Sequence, residues 1–267
     1  MQRHFARLER ELAELLKEDR PAVLFDAMRH AVMAGGKRIR PQLCFASAVA
    51  VGGIEEDALF PACAIELLHG YTLVHDDLPP MDNDTMRRGQ PSVWAKYGEA
   101  NAILAGDALQ ALAFRTAARA PRNAGKILAV LAEAAVGVVR GQVEDLSRQP
   151  PPASRPSPLN SQPPTPDYDF ICRHKTADLF VAAAAMGAFA GGGSDDAVAR
   201  LRIYALNLGL AFQHEDDLLD GDSPYSADET RRKVDDLTAA AIAALDGLPG
   251  DVAPLATLAK RLSVRQA

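Results

Sequence analysis

Residues 124–146 read AGKILAVLAEAAVGVVRGQVEDL. Alanine dominates this stretch, proline is missing from it, and the apolar residues recur mostly at three- and four-residue steps. That is the period of one face of an α-helix, not the alternation of a strand. The stretch from Ala177 to Ala190 has the same character, and strand signals are nearly absent elsewhere. The periodicity predicts helices at 5–18, 22–34, 41–52, 58–77, 99–119, 124–147, 168–190, 195–220, 227–246 and 252–265. The fold expected is all-α, a bundle of about ten helices.

A chain of 267 residues can bury a sizeable core. With 48% hydrophobic and 24% charged residues it has the composition of a folded globular protein. The net charge of −6 argues against a general nucleic-acid binder, which needs a basic face, so any phosphate binding must be local. Cys44, Cys63 and Cys172 are odd in number, far apart and without metal-ligand spacing. They read as buried or free thiols in a reducing compartment, and the cytoplasm is the expected location. The N-terminal residues lack the apolar core of a signal peptide, and no run of about 18 apolar residues could span a membrane. Residues 149–167 hold eight of the 18 prolines and cannot be helical. We read this stretch as a mobile surface loop inside one domain, 1–267, because the helices on its two sides carry complementary parts of one site.

The first of those parts is Asp76-Asp77-Leu78-Pro79-Pro80-Met81-Asp82-Asn83-Asp84, at the end of a strong helical segment. The two prolines must break or kink the helix, and the turn they force can fold Asp82 back toward Asp76 and Asp77. The second part holds Gln213, Asp216, Asp217 and Asp220, with Asp216 and Asp220 one helical turn apart. Either cluster alone would also suit a solvated acidic helix end. Like charges about 4 Å apart repel by roughly 4 kcal/mol at an effective dielectric near 20, so such clusters call for cations. Sparse carboxylate oxygens suit Mg²⁺ held jointly with phosphate groups. The calcium loop of an EF-hand is excluded, because Arg87 stands where its sixth-position glycine is required.

Basic residues gather near these carboxylates in the sequence. Gly35-Gly36-Lys37-Arg38-Ile39-Arg40-Pro41 ends one helix and starts another, offering three cations to an anion. His69, Thr72 and Asp76 share a helix face by their i, i+3, i+7 spacing, which brings His69 toward the acidic end. Arg87 and Arg88 follow the first cluster, and Arg173-His174-Lys175-Thr176 follow the proline-rich stretch.

Together these motifs, with Ile103 to Leu109 and Gly141-Gln142, resemble the short-chain trans-prenyl diphosphate synthases, and most of all those of the bacterial farnesyl diphosphate type. The match runs from about Asp26 to Asp222. The resemblance implies an isoprenoid-synthase-like bundle around a deep central cavity, usually in a homodimer, with Mg²⁺ bridging the two acidic motifs to an allylic diphosphate. It implies metal ligation by Asp76, Asp77, Asp82, Asp216, Asp217 and Asp220. Arg87, Lys175, Thr176 and Gln213 would serve the allylic diphosphate, and Gly36, Lys37, Arg40, His69 and Arg88 the isopentenyl diphosphate. Ionisation of the allylic C–O bond, attack by the isopentenyl double bond and loss of a proton, with water kept out, would complete the reaction.

Tyr71 and Thr72 lie about one turn below Asp76 and are expected to floor the apolar cavity. An aromatic at the fifth position before the motif, with the four-residue spacer Leu78–Met81, resembles synthases that stop at farnesyl diphosphate. The chain departs from the family after Asp220, where about fifteen residues with an expected lysine are missing, leaving Arg231, Arg232 and Lys233 as possible substitutes. Glu215 also stands where a neutral residue is usual. Two other readings therefore stand beside the synthase: a noncatalytic partner subunit of the same fold, and a terpene cyclase.

Overall fold

The computed structural model describes residues 2–147 and 167–263. The proline-rich stretch read above as a mobile loop lies, but for Asp167, outside the described residues. Among those described are twelve α-helical segments: α1 (Gln2–Leu15), α2 (Ala22–Met33), α3 (Ile39–Ala50), α4 (Leu59–Asp76), α5 (Val93–Tyr97), α6 (Glu99–Ala117), α7 (Ala124–Leu146), α8 (Tyr168–Ile171), α9 (Asp178–Ala190), α10 (Asp195–Asp220), α11 (Ala227–Ala243) and α12 (Ala253–Leu262). The all-α expectation holds. No described helix is long and apolar enough to cross a membrane.

Local chemistry sets the helix ends. Ser194 starts α10 by accepting from the Ala197 N–H at 3.2 Å, and Gly221, at φ 80°, ends it. Ser226 and Glu229 form a reciprocal capping box at the start of α11. At the centre lies α9, where every residue from Leu179 to Ala190 except Val181 is buried. A helix apolar all round can be covered only by neighbours on every side, and α3, α4, α7 and α10 supply them. Its alanines let those helices come close.

Three features escaped the helical pattern. Met86–Arg87 (β1) pairs antiparallel with Gln90–Pro91 (β2). The two residues between them, Arg88 at φ 53° and Gly89 at φ 75°, are both left-handed, the signature of a type I′ hairpin turn. The five-residue α5 was too short for a periodicity to register. The predicted helix 168–190 is interrupted from Cys172 to Ala177 by a π-helical turn, a form that recurs at functional sites.

Candidate active site

The first acidic motif adopts the turn its prolines dictate. The Asp82 N–H donates to the Asp76 carbonyl at 2.9 Å and the Asn83 N–H to Leu78 at 3.1 Å, so Asp82 returns to the end of α4 beside Asp76. Asp77 behaves differently. It is buried, and its Oδ1 accepts from Arg87 Nε at 2.9 Å and from the same guanidinium's Nη2. Arg87 overcomes burial only in part, and the Asp77 carboxyl stays above its usual range. Of the metal ligands implied for this motif, Asp76 and Asp82 line the central cavity and Asp77 does not.

The loop between α2 and α3 needs its glycines, at φ 85° for Gly35 and 135° for Gly36. Arg38 follows at φ 47° and lines the cavity with its neighbours, but its guanidinium is taken up by protein partners. Its guanidinium bonds Glu9 at 2.8 Å, Glu66 at 2.7 Å and the Val32 carbonyl at 2.8 Å. Lys37 and Arg40 line the cavity with His69 and Arg88. Arg88 is steadied by a hydrogen bond to the Gly35 carbonyl. Arg40 lies 5.1 Å over the Phe180 ring, with Nη1 3.2 Å from His69 Nε2. Burial lowers Arg40 to about 10, and burial together with Arg40 drives His69 well below its ordinary value, so the imidazole is neutral. Arg40 Nε and His69 Nδ1 are sequestered with no protein partner. Buried polar atoms without partners beside clustered cations are what an anion would satisfy.

The π turn brings Lys175 and Thr176 to the opposite wall. It is pressed between two glycines: a Cβ on Gly141 of α7 would lie 2.3 Å from the Lys175 nitrogen, and one on Gly209 of α10 would lie 2.7 Å from the Ala177 Cα. Thr176 Oγ1 donates to Gln213 Oε1, and Gln213 Nε2 donates to Asp217 Oδ1 at 2.8 Å. Lys175 Nζ meets Asp145 Oδ2 at 2.6 Å.

These walls enclose one cavity of about 820 Å³, whose polar lining is Gly36, Lys37, Arg38, Arg40, Glu66, His69, Thr72, Asp76, Asp82, Arg87, Arg88, Lys175, Thr176, Gln213, Asp216 and Asp220. Asp217 faces an adjoining cavity of about 710 Å³ that shares Asp82, Lys175 and Asp220 with the first. Tyr71 lines neither; its ring meets His75 edge-on at 4.9 Å. Glu215 is buried and also lines neither, as is true of Arg231, Arg232 and Lys233. Lys233 instead sits 4.3 Å over the Tyr225 ring, so none of these three residues takes the place at the cavity of the lysine expected after Asp220.

The donor set fits Mg²⁺. Asp76, Asp82, Asp216 and Asp220 offer only hard oxygens, and they sit at or just beyond the C-terminal ends of α4 and α10, where the helix dipoles add negative charge. Burial pushes the Asp76 carboxyl up to about 7, Lys175 opposes it and Asp82 adds to it. Among the described residues no three metal-binding side chains form a ready-made cage. An ion here would share its coordination with substrate oxygens and water.

The sequence reading missed three residues. Asp145 stands four residues after Gly141 on one face of α7, so the glycine that admits the π turn and the carboxylate that takes Lys175 share a spacing that was there to be read. Glu66 fixes Arg38. Tyr168 donates to Asp217 across 49 residues of chain, and no local signal marks it.

Comparison with known proteins agrees with this geometry. Residues 21–245 match the family described as polyprenyl synthetase. The chain is 45% identical over 209 residues to the heterodimeric geranylgeranyl pyrophosphate synthase large subunit 1 of Arabidopsis thaliana, covering 75% of this chain and 54% of that protein. It is 43% identical over 220 residues to the geranylgeranyl diphosphate synthase of Cyanophora paradoxa, covering 80% of this chain and 70% of that one. The chain thus spans little more than half the length of several such relatives. Among solved structures, an FPP/GFPP synthase from Zymomonas mobilis superposes with a TM-score of 0.86 at 34% identity, covering 98% of this chain and 97% of that one. A geranylgeranyl pyrophosphate synthetase from Pyrococcus horikoshii superposes at 0.85 and 30% identity, covering 99% of each. With its carboxylates and cations converging on one cavity and this family's sequence running through most of its length, the chain belongs to the polyprenyl synthetase family of trans-prenyltransferases.

Proposed function

We propose that the protein condenses isopentenyl diphosphate with dimethylallyl and geranyl diphosphate to give farnesyl diphosphate. One observation carries the reading: a single cavity is lined both by carboxylates from two helix ends and by two separate groups of cations. Lys175 and Arg87 stand on the carboxylate side, where an allylic diphosphate would lie. Arg40, His69, Lys37 and Arg88 make the second cradle, for the diphosphate that is not cleaved. Mg²⁺ held by Asp76, Asp82, Asp216 and Asp220 would offset the charge that develops on the leaving diphosphate. Lys175 and Arg87 would add to this stabilisation, and Phe212, Leu73 and Leu179 line the cavity with apolar surface that limits water near a carbocation.

Incubation with Mg²⁺, isopentenyl diphosphate and either allylic diphosphate tests the reading. Pyrophosphate release that requires both substrates, with a C15 product, is the expected result. Release from the allylic substrate alone, with a hydrocarbon product, would make the protein a cyclase, and binding without turnover would make it a noncatalytic subunit. A C20 product is the second reading, favoured by the geranylgeranyl synthase names of the relatives. The Tyr71→Ala variant bears on the stopping point. If Tyr71 limits the chain from beneath Thr72, the variant shifts product toward C20; an unchanged product spectrum refutes that role.

We also infer a homodimer. Val136, Val139 and Val143 form an i, i+3, i+7 stripe on α7 with exposures of 61%, 45% and 64%, and Ile103 and Leu104 of the contacting α6 are exposed as well. A second copy would cover them. Light scattering is expected to give twice the chain mass, and Val139→Asp to shift it toward the monomer; a monomeric parent protein excludes the assembly.

A further inference from the structure

The second acidic motif contains a carboxylate that is held from outside its own helix. Asp217 Oδ1 accepts from Gln213 Nε2 at 2.8 Å, one turn earlier on α10. Its Oδ2 accepts from the Tyr168 hydroxyl, which reaches in from α8. Each oxygen therefore has one donor already in place, and the direction of its remaining lone pair is fixed.

Tyr168 is itself constrained. The Asp167 side chain caps α8 by accepting from the Phe170 N–H at 3.1 Å, and the Asp167 N–H donates to Glu144 Oε1 of α7 at 3.0 Å. The Tyr168 hydroxyl lies 3.3 Å from His214 Nδ1. Its ring meets that of Tyr225 edge-on at 5.8 Å, and the Tyr225 ring lies 6.0 Å from that of His214. Tyr225 belongs to the short segment that follows Asp220. The rings of Tyr168 and Tyr225 thus pack against His214 of α10, and Tyr168 lines with Asp217 the cavity that also holds Asp82, Asp145 and Asp220.

We propose that Tyr168 is a positioning residue for Asp217, setting its carboxylate toward the adjoining cavity so that its open lone pairs meet the cation or cation-bound water accompanying a diphosphate. The ligand in this inference rests on the prenyltransferase reading. The Tyr168 contribution itself is a geometric claim about two side chains. Outer partners of metal-binding carboxylates commonly contribute ten- to a hundredfold in affinity.

Calorimetric titration of the full chain with inorganic pyrophosphate in Mg²⁺ tests the claim without requiring turnover. Tyr168→Phe keeps the ring and removes only the donor; it is expected to weaken binding about tenfold, and to raise by a similar factor the Mg²⁺ concentration needed for half-maximal binding. Asp217→Asn should weaken binding at least as much. In the Asp217→Asn background, Tyr168→Phe should add less than twofold, because the tyrosine acts through that carboxylate. Should Tyr168→Phe melt early, Asp217→Asn with Tyr168 intact still reports the carboxylate's contribution, and wild-type affinity in that variant overturns the proposal. Wild-type affinity in Tyr168→Phe overturns it too, as does an equal loss in both backgrounds, which would mark a packing role. A parent protein that binds no Mg²⁺-pyrophosphate removes the prenyltransferase reading and this inference together. Normal binding by the parent with an indifferent Tyr168→Phe removes only the inference.

Discussion

Replacing Asp76 by Asn is expected to reduce turnover by about a thousandfold, roughly 4 kcal/mol of transition-state stabilisation at 1.36 kcal/mol per decade. The substitution keeps the shape of the side chain at the end of α4 and removes a carboxylate that lines the cavity. Asp82 is folded against the same turn and cannot take over, since it already contributes its own oxygens. The cradle made by Arg40, His69 and Arg88 lies apart from this carboxylate, so the KM for isopentenyl diphosphate should change by less than about fivefold. Stability should hold or rise. Burial disfavours the ionised form of Asp76, as its raised pKa records, and a neutral amide relieves that cost. Steady-state kinetics at saturating Mg²⁺, read beside a thermal melt, check both halves. A loss below tenfold with an intact fold would remove Asp76 from the chemistry.

The second large effect falls on stability. Arg38 is 4% exposed, and it ties Glu9 of α1, the Val32 carbonyl of α2 and Glu66 of α4 to the start of α3. Burial works against its charge, and the bonds to Glu9 and Glu66 overcome that, holding its pKa above the ordinary value. Arg38→Met leaves Glu66, itself 4% exposed, as a buried carboxylate without its partner. Breaking such a pair from one side costs about 3–5 kcal/mol. For a chain of this size the melting temperature should fall by on the order of 10 °C. The double variant Arg38→Met/Glu66→Met should recover most of the loss, because the uncompensated charge is gone. Denaturant unfolding of the three proteins measures this, and a loss under about 1 kcal/mol in Arg38→Met would show that the triad does not hold the helices together.

The two predictions mark where the sequence could and could not be read. Helix periodicity placed all ten predicted segments, because each depends on neighbours three or four residues away. The same local logic found the fold-back of Asp82, which two prolines impose. It assigned Lys37, Arg38 and Arg40 to one task because they stand within four positions; all three line the cavity, but the guanidinium of Arg38 is taken up by Glu9 and Glu66. Asp77 and Asp217 were grouped with their neighbours for the same reason. What separates them is Arg87, ten residues away on a hairpin, and Tyr168, beyond the proline-rich stretch. Partners contributed by distant segments leave no trace in spacing. The exception is Asp145, whose place one turn after Gly141 was legible had the glycine been taken as a sign of close approach.

The π turn at Cys172–Ala177 has a consequence for how this wall of the cavity is joined to the core. A wide turn carries one residue more than the α-helical spacing needs, and each residue advances the side-chain direction by about 100°. The packing of α9 inside the bundle and the aim of Lys175 are therefore set independently, since the surplus residue absorbs the difference. Lys175 can thus face the cavity while the alanines of α9 stay in register with their neighbours, in the space that Gly141 and Gly209 leave for the turn.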